Sequence, residues 1–530
     1  MGARRTASAS FLAALLATLG GHAAPAGAAD APAPAPAPAP AAADDDGPSL
    51  TVYSSADPAG FDPTRFVAQQ RQGATATAAS QVPGFGVVRD TRRVDVPAAG
   101  ELAFADVAEH IDPTTVAFDD LTDPAGTAVL EQAFRFDLAS PDKLLDRYVG
   151  RRVGYVVRAQ DGTLAEQTEG TVVSINQGTV VLQTGAGLRF VPARDPGLRL
   201  PRLPEGIVTR PTLVWKVASA SPGSHRVRTT YQTAGLTWRA DYNLVLDASG
   251  KKAELGAWVT LLNVSGASWR DARLRLVAGD VARVRTTPTR ATSSGGSTRG
   301  GFDAGPGFEE KAFFEYHLYT LPRRTDVLED STQQLVLFPT ARDVGVERVL
   351  VYYGLPEAAS WGVTPQPRTD RDVRSAANPK VDVYLRVQNT AANHLGMALP
   401  RGRVRVLQQD DAAGTPEFVG EDVVDHTPED ETVLVKVGQA FDVVGERTQT
   451  AFEVDASRRT MSESVRVVLR NRKAEAVRVT VRETLFRWMG WEVTQSSRPF
   501  VKRDARTVHF DVDLAPGATE EVTYTVRYAW

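Results

Sequence analysis

Apolar and polar side chains alternate strictly near the middle of the chain. Over residues 237–244 (TWRADYNL) every second side chain is apolar, namely Trp238, Ala240, Tyr242 and Leu244. A period of two is the period of a β-strand with one face in a core and the other in water. The pattern therefore predicts a half-buried strand whose solvent face carries Thr237, Arg239, Asp241 and Asn243.

The following segments extend this strand into a sheet. Residues 255–262 (LGAWVTLL) are apolar on both faces, as in a central strand covered on both sides. Residues 263–266 (NVSG) form a turn, and the alternation from Trp269 to Ala278 returns the chain to the sheet. We predict three or four adjoining antiparallel strands over residues 231–280. They belong to a central β-sandwich domain, residues 204–460, with a flexible insertion at residues 290–307.

Turn signals divide the rest of the chain into further β domains. Residues 49–140 are predicted to form an N-terminal β domain. Ser140, Pro141 and Gly150 suit the ends of a short helix. Short strand-like runs with tight turns then suggest a small SH3-like barrel within residues 141–203. Alternation after Met461 predicts an immunoglobulin-like β-sandwich over residues 461–530. The predicted fold class is all-β and multi-domain.

The first 48 residues have the composition of a targeting segment and a spacer. Arg4 and Arg5 precede an apolar run at residues 11–19, and small residues at 26–28 suit a cleavage site. We predict a cleaved signal peptide over residues 1–29 and an Ala/Pro-rich linker over residues 30–48. The predicted location is periplasmic or extracellular, and an association with the outer membrane is left open.

Composition narrows the set of partners. The formal net charge is −4 over 530 residues, which gives no electrostatic reason to expect nucleic acid. The chain has no cysteine, so disulfides, thiol chemistry and a lipidated cysteine are excluded. The predicted partner is a protein or a glycan of the cell envelope. Any membrane association is expected to use neither a transmembrane helix nor a lipidated cysteine.

Few residues suggest chemistry, and no cofactor, catalytic residue or metal site is predicted. The seven histidines lack the spacing of a metal-binding motif. His317 is interpreted as a strand residue, with a place in the lining of a site as the alternative. Acidic residues concentrate between Asp410 and Glu431, where solvated turns are favoured over a hard-cation site. Residues 263–265 (NVS) fit a glycosylation acceptor, but the turn explains them better.

Several segments resemble one bacterial family. They are residues 85–89 (FGVVR), 111–116 (IDPTTV), 144–151 (LLDRYVGR), 235–242 (GLTWRADY) and 263–279. These segments are similar to the signatures of the domain-of-unknown-function 4139 family, which is related to the mucoidy inhibitor A proteins. Those relatives carry a coiled-coil insert where this chain has the small barrel. The resemblance implies an exported β-rich protein with a loose link to exopolysaccharide production, and it supplies no catalytic residues.

The leading hypothesis is a non-enzymatic exported protein that acts through interaction surfaces, with its binding residues unknown. One alternative is a carbohydrate-binding or carbohydrate-acting protein, suggested by Trp361, Trp488 and Trp491. Glycoside chemistry would need two carboxylates facing each other across a cleft. A second alternative is an outer-membrane β-barrel, because residues 522–530 alternate up to a terminal aromatic residue. Too few lipid-facing segments elsewhere support that alternative.

Overall fold

A computed structural model describes residues 46–54, 57–58, 61–71, 79–136, 141–158, 164–204, 207–279, 309–313, 316–356, 358, 365–371, 378–410 and 414–530. Strands dominate these residues and form several sheets, so the predicted all-β class is confirmed. The predicted signal peptide, most of the predicted linker, the flexible insertion and Trp361 lie outside the described residues.

The N-terminal strands belong to two different sheets. In chain order the elements are β1 (Gly47–Tyr53), α1 (Pro63–Arg71), β2 (Phe85–Val96), β3 (Ala99–Ala105), β4 (Ile111–Asp120) and β5 (Thr127–Arg135). β1 and β2 form an antiparallel pair. The turn after β2 takes β3 out of that sheet and into a separate three-stranded sheet that also contains β5.

An insert with its own core follows at residues 141–203. Its elements are α2 (Pro141–Asp146), β6 (Arg152–Arg158), β7 (Leu164–Asn176), β8 (Thr179–Thr184), β9 (Gly187–Pro192) and β10 (Leu198–Arg199). β6 to β9 form an antiparallel meander, and β10 returns to pair with β6. Leu145 of α2 packs with Val172 and Leu182 in a small core of the insert. The insert contains the predicted short helix and a five-stranded sheet with the open order β10-β6-β7-β8-β9, and the SH3-like barrel stays a prediction.

The central part of the chain contains the longest runs of buried residues. Its strands are β11 (Thr212–Ser219), β12 (Gly223–Thr233), β13 (Leu236–Leu246), β14 (Lys252–Asn263), β15 (Trp269–Ala278), β16 (Glu309–Phe313), β17 (Tyr316–Thr320), β18 (Thr325–Val327) and β19 (Ser331–Tyr353). β13 and β14 pair in antiparallel fashion, as predicted. β15 does not rejoin them, because the turn at Asn263 directs it to a parallel pairing with β1 in the other sheet. The predicted run of adjoining antiparallel strands is therefore wrong at its last strand.

The C-terminal part of the chain also consists mainly of β-strands. Its elements are β20 (Lys380–Gln388), a 3₁₀ turn (Ala391–Asn393), β21 (Gly402–Gln409), β22 (Pro416–Val424), β23 (Thr432–Asp455), β24 (Thr460–Asn471), β25 (Val477–Thr484), β26 (Trp491–Ser496), β27 (Val501–Lys502), β28 (Thr507–Leu514) and β29 (Thr519–Ala529). β24, β25, β28 and β29 enclose one core, in which Val467, Phe510 and Val526 are fully buried. The same core includes Leu350, Tyr352, Val381 and Val443, which precede the boundary predicted at residue 461.

One strand arrangement occurs four times. Each repeat has an entry strand, a hairpin strand antiparallel to it, a crossing strand that leaves the sheet, and a return strand antiparallel to the hairpin strand. In this order the repeats are β1, β2, β3 and β12; β13, β14, β15 and the first half of β19; the second half of β19, β20, β21 and the first half of β23; and the second half of β23, β24, β25 and β29.

Neighbouring repeats are joined by strands that they share. β19 has 23 residues and β23 has 24, so each is long enough to end one repeat and begin the next. The crossing strands β15, β21 and β25 each pair in parallel with the entry strand of the preceding repeat, namely β1, β13 and β19. Sheets therefore run across the boundaries predicted at residues 140, 204 and 460.

In the last three repeats a buried asparagine closes the corner after the hairpin strand. Asn263, Asn389 and Asn471 have exposures of 1%, 0% and 0%. Each side-chain amide donates to a carbonyl four residues before the return strand, and these carbonyls belong to Val327, Pro428 and Ala515. Each amide also donates to a carbonyl of its own turn, at Ala267, Met397 and Glu475. One side chain thus fastens two loops.

The polar face of β13 is not exposed to water. Thr237, Arg239 and Asp241 are buried, which corrects the prediction that they face solvent. The segment leading into α1 covers them, and the Arg239 guanidinium donates to the Phe61 carbonyl and, at 3.1 Å, to Asp241 Oδ2. Phe61 also packs with Val264 in a small apolar cluster. An ion pair in this position needs such partners because burial without them is costly.

Candidate functional site

A surface cleft of about 450 Å³ lies where β22 ends and β23 begins. The residues lining it belong to the end of β22, the turn that follows and the start of β23, namely Val423, Val424, Asp425, His426, Thr427, Pro428, Glu431, Thr432, Val433 and Leu434. A cleft of this size falls in the range of small-molecule or peptide side-chain pockets. A second cavity, inside the core beside Tyr242, is apolar and only about 20 Å³, which is too small for such a ligand.

The cleft turn is held by the corner asparagine of the third repeat. Asn389 Nδ2 donates to the Pro428 carbonyl at 2.8 Å, and the Asp430 N–H donates to the Asn389 carbonyl at 2.8 Å. Asp430 itself has φ +65°, a conformation that Asp tolerates better than most residues. His426 Nδ1 accepts the N–H of Arg401 at 3.0 Å, so in the neutral imidazole the proton lies on Nε2. The turn therefore has a defined shape.

The surface around the cleft is acidic and partly apolar. Residues 416–434, the acidic surface, contain seven Asp or Glu and no Lys or Arg. Phe418 is 62% exposed and Leu434 is 47% exposed on the same two strands. The Lys436 N–H donates to Asp422 Oδ2 at 2.7 Å, which ties β22 to β23. Exposed apolar side chains among charges of one sign are typical of a binding surface.

The acidic residues between Asp410 and Glu431 are distributed along β22 and its flanking turns. The described residues contain no group of three or more His, Asp or Glu that could hold a metal ion. The Asp425 carboxylate forms a local turn contact instead, because it accepts the N–H of His426 at 3.0 Å. Asp411 lies outside the described residues.

A second group of titratable residues surrounds the turn after β14. The Glu109 N–H donates to the Ser265 carbonyl at 3.0 Å, and the Glu329 N–H donates to Ser268 Oγ at 2.9 Å. Burial, together with the charges of Asp330 and Glu109, raises the pKa of Glu329 to about 6. Burial also lowers the pKa of His110 below its ordinary value. Glu329 is thus a carboxyl group that changes charge near neutral pH.

The sequence did not reveal this group because its members are far apart in the chain. Glu109 follows β3 and Glu329 precedes β19, and only the pairing of β14 with β19 brings the second to the turn. The acidic surface is visible in the sequence as a charge run, but the exposure of Phe418 and Leu434 is not. A run of acids without a single base, interrupted by apolar residues, was the available signal.

The other residues singled out in the sequence lie apart from the cleft lining. His317 is half-buried on β17, opposite Ala278 and Ala312 in the adjacent strands. Trp488 and Trp491 are partly buried against the core of the fourth repeat.

Trp491 is held at the surface by two contacts. Its Nε1 donates to the Ala505 carbonyl at 2.7 Å, and the Lys502 ammonium lies 4.6 Å from the ring centroid. An indole in this setting keeps part of its face accessible while its N–H is satisfied.

Fold and site together define an all-β protein of strand-sharing repeats with a polar surface cleft. Every helix among the described residues is too short or too polar to cross a lipid bilayer. The model of the family described as Domain of unknown function (DUF4139) matches residues 227–530, and the chain belongs to this family. The match begins within β12 and includes the second, third and fourth repeats with all three corner asparagines. No curated protein and no solved structure matches the chain.

Proposed function

We propose that this protein is exported and acts in the cell envelope as a binding protein, through its surfaces instead of through catalysis. The observation that carries the proposal is the acidic surface, where exposed Phe418 and Leu434 lie among seven carboxylates beside a 450 Å³ cleft. Exposed apolar side chains that are surrounded by polar groups and lie beside a cleft favour a binding role. The shape of the cleft is fixed by Asn389, so little ordering is needed on binding.

Export is supported by the N-terminal sequence. Arg4 and Arg5, the apolar run at residues 11–19 and the small residues at 26–28 follow the order of a secretory signal. The absence of cysteine suits a protein whose cores must be stable without disulfides in an oxidising compartment.

The export proposal is tested by fractionating cells that express the full chain. Mass spectrometry of the protein from the envelope or periplasmic fraction should find an N-terminus after the small residues at 26–28. A protein confined to the cytoplasm with its leader intact overturns the proposal. An Arg4→Glu, Arg5→Glu variant, which loses the positive charge, should accumulate inside the cell.

The binding proposal is tested by crosslinking in the envelope. The wild-type chain should capture a partner, and Phe418→Lys should lower the yield about tenfold by placing a polar group in the apolar contact. Leu130→Asp is the matched control, because Leu130 is 70% exposed on β5, outside the acidic surface, and should leave the yield unchanged. Equal yields from all three chains would contradict a role for the acidic surface.

A carbohydrate ligand is the second candidate function, and the partly exposed indoles of Trp488 and Trp491 favour it. Aromatic faces of this kind can stack on sugar rings. A glycan-binding screen should then give a signal that Trp491→Ala removes and Trp491→Phe keeps in part. The absence of binding by the wild-type chain eliminates this candidate.

A further inference from the structure

The insert presents an unprotected sheet edge. β9 is the last strand in the order β10-β6-β7-β8-β9, and among the described strands only β8 pairs with it. Its register with β8 is continuous from Gly187 to Pro192, without a bulge. An edge strand of this kind leaves main-chain N–H and C=O groups available to a further strand.

The same strand carries exposed apolar side chains. Leu188 and Phe190 are 58% and 69% exposed, and they share one face because they are two residues apart. Phe190 lies opposite Val181 of β8, and Val173 of β7 is also exposed, so the apolar stripe crosses three strands. This stripe and the free edge together form the insert surface.

The edge strand β5 is interrupted by a bulge, unlike β9. β5 also carries an exposed apolar side chain, Leu130, but its register with β11 shifts between Lys216 and Val217. A bulge bends an edge strand and spoils its pairing with another chain. β9 therefore differs from β5 in a way that favours docking.

The insert is positively charged, whereas the acidic surface of the same chain is negatively charged. Residues 141–203 contain nine Lys or Arg and six Asp or Glu, which gives +3 in a chain of −4. The Arg194 side chain, two residues beyond β9, is 82% exposed. The acidic surface of the same chain has the opposite charge, −7 over residues 416–434, and its own exposed apolar groups, Phe418 and Leu434.

We infer that the insert surface of one copy docks against the acidic surface of a second copy. The apolar stripe of β9 then covers Phe418 and Leu434, and the basic insert faces the carboxylates. Leu188, Phe190, Phe418 and Leu434 are all exposed within a single copy among the residues that the structure describes. The inference deepens the proposed binding function by naming its partner, and it does not depend on export.

Two different surfaces make this contact heterologous. Each copy that uses its insert surface still has a free acidic surface, so assembly either closes into a ring, of which a reciprocal dimer is the smallest, or grows into a filament. Because opposite charges contribute, association should weaken as ionic strength rises.

Sedimentation velocity of the full chain tests the inference with three variants. Wild-type protein should show concentration-dependent self-association into dimers or larger species. Phe190→Asp and Phe418→Lys should each weaken association about tenfold or more, since each removes one of the two surfaces. Leu130→Asp should assemble like the wild type. Unchanged thermal unfolding of the variants would show that the substitutions leave the fold intact.

Mixing the two defective variants gives the sharpest result. Phe190→Asp retains the acidic surface and Phe418→Lys retains the insert surface, so an equimolar mixture should form a one-to-one dimer that does not grow. A monomeric wild type, or a mixture that stays monomeric while the wild type assembles, overturns the inference. If the wild type is monomeric but Phe418→Lys still loses its envelope partner, the self-association is wrong and the proposed binding function stands.

Discussion

The corner of the first repeat is held differently from the other three corners. In the fourth repeat Asn471 donates to the carbonyls of Glu475 and Ala515, at 2.8 and 3.0 Å. In the first repeat no asparagine follows β2, and the loop before β12 is held by Asp120 and His225. The same structural task is thus performed once by ionisable groups and three times by an amide that has no charge to lose.

Both members of the Asp120–His225 pair also form hydrogen bonds with the backbone of the corner. His225 Nδ1 lies 2.5 Å from Asp120 Oδ2, and Nε2 lies 2.6 Å from the Ser221 carbonyl. Since a carbonyl only accepts, and a carboxylate does the same, both ring nitrogens carry protons when Asp120 is ionised. Asp120 Oδ1 also accepts the N–H groups of Thr122 and Asp123. The corner therefore contains a buried imidazolium paired with a carboxylate.

The pKa values of His225 and Asp120 are shifted in opposite directions. The hydrogen bond to Asp120 raises the pKa of His225 above its ordinary value, against the effect of burial. Burial alone would raise the pKa of Asp120, but the hydrogen bonds from Asp123, His225, Thr127 and Thr122 outweigh it and lower that pKa. The charged pair is therefore favoured in the folded state. The stability of the first corner therefore depends on pH, whereas the stability of the three asparagine corners need not.

The largest effect should come from Asn471→Ala. It removes the buried amide that donates to the carbonyls of Glu475 and Ala515 and accepts the N–H of Lys473, and should lower the free energy of unfolding by about 3 kcal/mol. Hydrogen exchange should show the loss in β24 and β29. Asn176→Ala is the control, because Asn176 also ends a strand but is exposed, and should cost about 0.5 kcal/mol or less. Equal effects would contradict the corner role.

Asp120→Ala should have the next largest effect, about 2 kcal/mol. It removes the acceptor of two backbone N–H groups and leaves His225 without its carboxylate. Asp119→Ala on the same strand is the matched control. Asp119 forms only a half-exposed ion pair with Arg228, which is worth about 0.5 kcal/mol. Denaturant unfolding measures both, and a larger loss in the control would show that the pair does not stabilise the corner.

A change of pH should lower the stability of the first repeat by less than Asp120→Ala does. The direction of the change follows from the two pKa shifts. Because the folded-state pKa of His225 is raised, its stabilisation is present below about pH 6.5 and is lost as pH rises through the folded-state pKa. Because the pKa of Asp120 is lowered, its stabilisation is present above its unfolded-state pKa, near 3.8, and is lost in stronger acid. Hydrogen exchange, corrected for its intrinsic pH dependence, should show weaker protection of β12 at about pH 9 than at about pH 6. His225→Gln should abolish that difference, and a difference that persists would assign it to other groups.

Thr127→Val should give the smallest effect, about 0.5 to 1 kcal/mol. The Thr127 hydroxyl donates to Asp120 Oδ2 at 2.8 Å and lies 3.1 Å from Ser219 Oγ, so it connects the start of β5 to the ends of β4 and β11. Valine has nearly the same shape, which isolates the hydrogen bonds from packing. Thermal unfolding should shift down slightly, and no shift would mean that water or another group replaces the hydroxyl.

Local patterns in the sequence predicted strands well but not their partners. The alternation over residues 237–244 gave the strand β13, and residues 263–266 were correctly interpreted as a turn. The burial of Arg239 and Asp241 was missed because the segment that covers them is about 180 residues earlier in the chain. Alternation shows which side chains share one face of a strand. Whether that face is buried depends on segments that are far away in the sequence.

The repeats and the candidate site were missed for a related reason. The turns after Asn263, Asn389 and Asn471 differ in length and sequence, so only the shared position of the amide connects them. The cleft likewise requires that β22 returns to β23, a contact that rests on Asp422 and the Lys436 N–H. The acids themselves were visible, but their neighbours in space were not.

β19 and β23 join neighbouring repeats by continuous strands instead of by loops. A pulling force that enters the second repeat through β19 reaches the third along a single covalent strand, in the direction in which β-structure resists extension. A nick near Gly345 or near Val443 would instead release two neighbours at once. We therefore expect the second, third and fourth repeats to resist a pulling force as one unit.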